Sequence, residues 1–118
     1  MKERLFQIRT LLGKDWLSGV LGKKPLVICG DFNAGAQSPV YREICAHLAD
    51  AQKMGNYKGY PKNTFFSRYP VLRLDHIFVS KQFATLRRVR VPSDAVTRIA
   101  SDHLPVFAEF TFNESAGD

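Results

Sequence analysis

The chain predicts an α+β domain. Three observations carry this: an apolar pattern of helical period near the N-terminus, a short unbroken apolar run between a proline and a glycine, and alternating apolar residues in the C-terminal third. The 118 residues are 45% hydrophobic and 24% charged, which suits one globular unit and excludes a disordered tail. A domain of this size buries about two-thirds of its unfolded surface, enough for a real core.

The first element covers residues 3–21. Leu5, Ile8, Leu12, Trp16 and Val20 recur at steps of three and four, with Leu11, Leu17 and Leu21 beside them, and Gly13 and Gly19 are candidate breaks. Leu26-Val27-Ile28-Cys29, between Pro25 and Gly30, reads as a strand buried on both faces. Ser38 and Pro39 supply an N-cap and a first helical residue for a helix continuing through Tyr41, Ile44, Cys45 and Leu48. Gly55, Gly59 and Pro61 mark a loop over residues 53–63. Thr64-Phe65-Phe66 is a short strand, residues 74–79 and 86–91 are longer ones, and 105–112 is the last, with Val106, Ala108, Phe110 and Phe112 alternating. The polar residues 113–118 are expected to fray. There is no repeat, low-complexity segment or linker.

Seventeen Lys and Arg against eleven Asp and Glu leave a net charge of +6, which suits a polyanionic partner or a phosphorylated substrate but also serves solubility alone. No apolar stretch approaches the ~18–20 residues that span a bilayer. The start Met1-Lys2-Glu3-Arg4 alternates charge and is not a secretory leader. Cys29 and Cys45 form no framework, and their apolar neighbours mark them as reduced core residues of an intracellular, cytoplasmic protein.

Three clusters place ionisable residues at strand ends, where function usually sits. In Gly30-Asp31-Phe32-Asn33, Asp31 and Asn33 are two apart, so an extended backbone points both the same way, with Phe32 opposite. A carboxylate beside a carboxamide can hold a metal-bound water and bond a phosphate oxygen, and the plain alternative is an Asx turn. In Arg73-Leu74-Asp75-His76-Ile77-Phe78-Val79, Asp75 opens a strand and can accept an imidazole N–H, or else pair with Arg73. His76 points the other way. In Ser101-Asp102-His103-Leu104-Pro105-Val106, Asp102 offers a hard oxygen suited to Mg²⁺, and His103 can bond a phosphate or move a proton near neutral pH. The alternative is a loop entering the final strand.

Gly-Asp-Phe-Asn after an apolar strand, then Leu-Asp-His-Ile-Phe, then Ser-Asp-His-Leu-Pro-Val, in this order, resembles the endonuclease/exonuclease/phosphatase superfamily over residues 5–112. That group includes deoxyribonuclease I, abasic-site endonucleases, neutral sphingomyelinases and inositol polyphosphate 5-phosphatases. Thr64-Phe65-Phe66 also falls where its members carry a Thr-Phe or Thr-Trp strand. The resemblance implies a metal-dependent phosphodiester or phosphoester hydrolase using Mg²⁺, with Mn²⁺ as a substitute. Asp31 would orient and help deprotonate the attacking water, Asn33 would bond the scissile phosphate, and both would stand beside the metal. Asp102 would contribute to the metal site, His103 would stabilise charge building on the phosphate, and Asp75 would hold His103 in orientation.

The family domain is longer, with two sheets packed face to face and helices outside. Its N-terminal half supplies an Asn and a Glu that anchor the metal, and another His. Glu3, Asp15, Glu43, Asp50 and Asp94 do not stand in those contexts. Residues 1–118 are therefore expected to be the C-terminal half of a four-layer α/β/β/α sandwich of deoxyribonuclease I type, a mixed sheet with helices on one face. Such a half exposes the sheet face that normally meets the partner sheet, which predicts self-association or pairing with a separate N-terminal half. With few carboxylates left, Mg²⁺ binding weakens, and the chain alone is expected to be feeble or inactive.

Substrate choice, nucleic acid or phospholipid headgroup, is expected in residues 53–69, where Lys58, Tyr60, Lys62, Asn63, Arg68 and Tyr69 mix cations with aromatics, the alternative being a solvated loop. Arg88 and Arg90 share a strand face opposite Arg87 and Val89, an exposed face rather than a phosphate track. The competing reading is a non-catalytic basic binding or self-assembling module that keeps the half-fold.

Overall fold

The computed structural model describes residues 2–13, 16–55 and 57–113. The expected frayed tail, apart from Asn113, and Asp15 lie outside the described residues. The elements run α1 (Lys2–Leu12), β1 (Val27–Asp31), α2 (Pro39–Cys45), β2 (Ala49–Asp50), α3 (Ala51–Met54), β3 (Asp75–Val79), a 3-10 turn (Lys81–Phe83), β4 (Ala84–Arg90), α4 (Ala95–Ala100) and β5 (Phe107–Phe112). This is the α+β architecture. One antiparallel sheet has the order β1-β3-β2, and β4 and β5 form an antiparallel pair. No described helix is long and apolar enough to cross a membrane.

In the first sheet Ile28 faces Phe78 across the ladder, and both sit on the side covered by helices. Phe78 is fully buried with Val40, Tyr41, Ile44 and Leu48, and Leu5 and Ile8 of α1 pack against this cluster. Ser38 caps α2 by accepting from the Tyr41 amide at 3.1 Å, and Pro39 takes the first helical position, as the sequence predicts. One turn later a buried ion pair forms beside the core: Arg73 Nη1 meets Asp50 Oδ2 at 2.5 Å, and Tyr41 donates its hydroxyl to the same oxygen at 2.7 Å. The strand-end pair of Arg73 with Asp75 is thus replaced by a partner 23 residues away. Of the other carboxylates outside the motifs, Glu43 meets Arg9 at 3.0 Å, and Asp94 caps α4 through a capping box with Thr97.

Several expectations are corrected. The first helix ends at Leu12, and a series of turns follows from Trp16, which is 65% exposed instead of continuing the apolar face. Gly13 marks the break, since it stands where helical hydrogen bonding gives way to tighter turns from Thr10 and Gly13. β1 is not buried on both faces. Ile28 meets the helices, whereas Val27 and Cys29 on the other side are exposed. The unbroken apolar run reflects a strand whose second face lacks cover within the described residues. Cys29 and Cys45 are free but exposed, so the core reading of them fails. α2 stops at Cys45, and Leu48 enters the core from the turn beyond it. Lys53 belongs to α3, which Asp50 caps through the Gln52 amide, and the loop begins after it. Thr64-Phe65-Phe66 makes isolated bridges, Phe65 to Leu72 and to His103, and not a regular strand. A bulge between Leu86 and Arg88 breaks the strict alternation of β4, though Arg88 and Arg90 are both exposed and Val89 is buried.

Candidate active site

The register of the first sheet brings two carboxylates together. Asp31 ends β1, Asp75 begins β3, and they are direct partners across the antiparallel ladder. They share the parity of Cys29 and Ile77, so both leave the face opposite the helices. Like charges facing each other across a ladder destabilise it unless something cationic stands between them. His103 stands there. Its Nδ1 lies 2.6 Å from Asp75 Oδ2, and its Nε2 lies 3.7 Å from Asp31 Oδ2.

The loop carrying His103 is held by a short backbone zipper. Ser67 N donates to Asp102 O at 2.7 Å, Phe65 bridges His103, and Leu104 N donates to Thr64 O at 2.7 Å. The Phe65 ring lies 4.9 Å from the imidazole, and the His103 amide donates to Ser101 Oγ at 3.1 Å. Asp75 is anchored in turn by Thr64, whose hydroxyl donates to Asp75 Oδ2 at 2.7 Å. Thr64 is fully buried, and the sequence reading left its hydroxyl out. The signal was present in Thr64-Phe65-Phe66, but a hydroxyl's target cannot be read from its neighbours.

The hydrogen bond to Asp75, and behind it the charges of Asp75, Asp31 and Asp102, hold the His103 pKa above the ordinary imidazole value despite some desolvation. His76 behaves oppositely. It faces the helices, stacks among Phe32, Tyr41 and Phe78, and donates Nε2–H to Ala34 O at 3.1 Å. Burial pushes its pKa down, and its Nδ1 has no partner among the described residues. The two imidazoles are thus shifted in opposite directions, one by a carboxylate partner and the other by burial.

Asn33 is not the extended companion of Asp31. β1 stops at Asp31, Asn33 adopts φ 49°, and its amide donates to Asp31 Oδ1 at 2.7 Å, which is an Asx turn. Phe32 does turn inward, onto Phe78 and His76. The turn leaves Asp31 exposed, with Oδ2 toward His103 and Oδ1 tied to the backbone. Arg4 reaches the Asn33 carbonyl at 3.3 Å.

Among the described residues, Asp31, Asp75 and His103 form a group whose candidate ligand atoms lie within 4.8 Å of one another. Asp75 Oδ2 and the His103 Nδ1 already satisfy each other, while Asp31 and Asp102 are exposed carboxylates with the hard oxygens that suit Mg²⁺. Asp102 stands outside the three-residue group and lines an adjacent cleft of about 350 Å³ with Phe66, Arg68, Tyr69, Arg98 and Ile99. Arg98 and Ile99 come from α4, which the sequence reading did not foresee, although Asp94-Ala95-Val96-Thr97 was a legible capping box.

The other residues expected to face substrate are dispersed. Lys58 is exposed. Lys62 Nζ lies 4.9 Å over the Tyr60 ring, and the Tyr60 hydroxyl accepts from the Val91 amide at 3.4 Å. Asn63 reaches the Pro70 carbonyl at 3.5 Å and lines a different depression, with Gly35 to Gln37 and Leu72. Of these expected residues, Arg68 and Tyr69 are brought to the cleft that Asp102 lines.

The endonuclease/exonuclease/phosphatase family model matches residues 4–103. No curated protein matches the chain. Among solved structures, a Bacteroides thetaiotaomicron VPI-5482 mannosyl-6-phosphatase is 26% identical with a TM-score of 0.76, covering 94% of this chain and 46% of its own. The human Nocturnin catalytic domain with bound sulfate is also 26% identical, with a TM-score of 0.64, covering 92% and 38%. A functionally unknown conserved protein from Enterococcus faecalis V583 is 23% identical with a TM-score of 0.76, covering 93% and 44%. The chain spans less than half the length of each of these structures.

Proposed function

Since the chain belongs to the endonuclease/exonuclease/phosphatase family of hydrolases, we propose that it is the C-terminal half, residues 1–118, of a metal-dependent phosphodiester or phosphomonoester hydrolase, weak or inactive by itself. The observation that carries the reading is the His103 imidazole, bonded to Asp75 at 2.6 Å and facing Asp31 at 3.7 Å on the open side of the sheet. An imidazole held between two carboxylates at a strand end is a perturbed group of the kind that clusters where chemistry is done.

Asp31 orients the attacking water and takes up its proton, and Asn33 hydrogen-bonds the phosphate. His103, its pKa raised and its ring oriented by Asp75, stabilises the negative charge that builds on the phosphoryl oxygens. Asp31 and Asp102 are the residues that would hold Mg²⁺ or Mn²⁺, with Asn33 beside them. When bound, the ion neutralises phosphate charge and acidifies water. Two exposed carboxylates make a poor Mg²⁺ site by themselves, which is the physical ground for expecting low activity. The relatives' greater length fits a second half that completes the site, and the exposed side of β1 fits either that half or a second copy.

On the substrate side, Arg68 and Arg98 beside Tyr69 and Phe66 suit an anionic group joined to a planar or apolar one, which fits a nucleic acid better than a simple headgroup. Lys58, Tyr60, Lys62 and Asn63 would serve the more distant parts of such a substrate. The free cysteines fit a reducing compartment such as the cytoplasm.

The test is hydrolysis of bis(p-nitrophenyl) phosphate and p-nitrophenyl phosphate at millimolar Mg²⁺ or Mn²⁺, by the chain alone and mixed with a segment supplying the other half of the fold. Slow turnover that rises on mixing and vanishes with EDTA and with Asp31→Ala is expected. Identical rates for parent and Asp31→Ala in both settings would sink the hydrolase reading.

A further inference from the structure

We propose that Thr64 is the positioning residue of this site, its hydroxyl fixing the Asp75 carboxylate and, through it, the nitrogen of His103 that bears the permanent proton. The inference rests on the hydrolase reading above for its purpose, but its geometry is independent of substrate and metal.

The argument is proton bookkeeping. A threonine hydroxyl has one proton to give and two lone pairs to offer. The amides of Leu74 and Asp75 both donate to Thr64 Oγ1 at 3.2 Å, so both lone pairs are taken. The proton then goes to Asp75 Oδ2 at 2.7 Å. That same oxygen is 2.6 Å from His103 Nδ1. A carboxylate oxygen can only accept, so the contact with Asp75 Oδ2 requires Nδ1 to be the protonated nitrogen of the imidazole. Nε2 is then the nitrogen that faces Asp31.

Thr64 is suited to this. It is fully buried, so water does not compete for its hydroxyl, and its branched Cβ restricts χ1. Its backbone does a second job, since Thr64 O accepts from Leu104 N at 2.7 Å and anchors the segment that carries His103. One residue thus holds the carboxylate through its side chain and the imidazole's loop through its main chain. Valine fills the same volume without the hydroxyl. Serine keeps the hydroxyl without the methyl group.

The experiment is proton and nitrogen NMR of the folded chain with neither metal nor substrate. The unmodified chain should show a downfield His103 Nδ1 proton and a slowly exchanging Thr64 hydroxyl proton with a cross-peak between them. Thr64→Ser should keep both, and Thr64→Val should speed exchange of the Nδ1 proton about tenfold, as expected for the loss of one buried hydrogen bond. An unchanged Nδ1 proton in Thr64→Val would overturn the proposal. So would a Thr64 hydroxyl in fast exchange with solvent in the unmodified chain, a result that stands even where Thr64→Val does not fold. The signals are read without turnover, so a chain that hydrolyses nothing but shows them separates failure of the hydrolase reading from failure of this one.

Discussion

Replacing Asp50 with alanine tests how the sheet is anchored to its helices. The Arg73 and Asp50 side chains are 5% and 2% exposed, and their atoms meet at 2.5 Å. Asp50 also accepts from the Tyr41 hydroxyl at 2.7 Å and caps α3 through the Gln52 amide at 3.0 Å. Alanine strands a buried guanidinium, which costs about 3–5 kcal/mol, and removes a cap worth about 1 kcal/mol. Against a total of ~5–15 kcal/mol for an ordinary domain, that loss unfolds a large share of the chain. Urea unfolding followed by far-UV circular dichroism reads it as a fall in midpoint at constant slope. The double replacement Asp50→Leu with Arg73→Met leaves no charge stranded and is expected to recover most of the loss, since buried pairs rarely outperform well-packed apolar residues. A loss below about 1 kcal/mol for Asp50→Ala, the ordinary scale of an exposed ion pair, would show that the pair is solvated and would refute the reasoning.

Asp75→Asn should bring the His103 pKa down, because the hydrogen bond to Asp75 is the largest cause of its rise. A raised folded-state pKa stabilises the fold below the ordinary value of 6.5 and ceases to do so as pH rises through the raised value. Melting temperature against pH should therefore lose its acid-side gain in Asp75→Asn, and an unchanged profile would contradict the assignment. His76 has the opposite sign: its pKa is lowered by burial, so its neutral form favours the fold above 6.5 and the advantage is lost as pH falls. His76→Phe removes that acid-side loss and an Nδ1 with no partner among the described residues, so its stability relative to the parent should rise from pH 7.5 to pH 5 in urea titrations. Arg9→Ala should lower the unfolding free energy read by urea titration by no more than about 0.5 kcal/mol, since its partnership with Glu43 joins α1 to α2 at an exposed surface.

Much of the molecule is written locally. Ser38-Pro39 starts α2, Gly13 breaks the first helix, and strands 75–79, 84–90 and 107–112 lie within two residues of their expected ends, because capping and alternation are decided by residues a few positions apart. The three motifs at strand ends were legible for the same reason, and they carried the family. Burial was less legible: the run 26–29 looks buried on both sides, but a strand's second face depends on what else packs there.

Partnership is what only the tertiary structure decided. Asp50 sits 23 residues from Arg73, Thr64 sits 11 from Asp75, and His103 sits 28 from Asp75. The residue types and spacing at these positions permit several pairings, including the Arg73–Asp75 pair that does not form. The choice follows from the antiparallel register that sets Asp31 opposite Asp75 and from the backbone zipper that lowers His103 between them. A pattern of neighbours specifies which way a side chain leaves the backbone. Which atom it meets is set by the packing of segments distant in sequence, and that is where one carboxylate became a core anchor and another the support of a histidine.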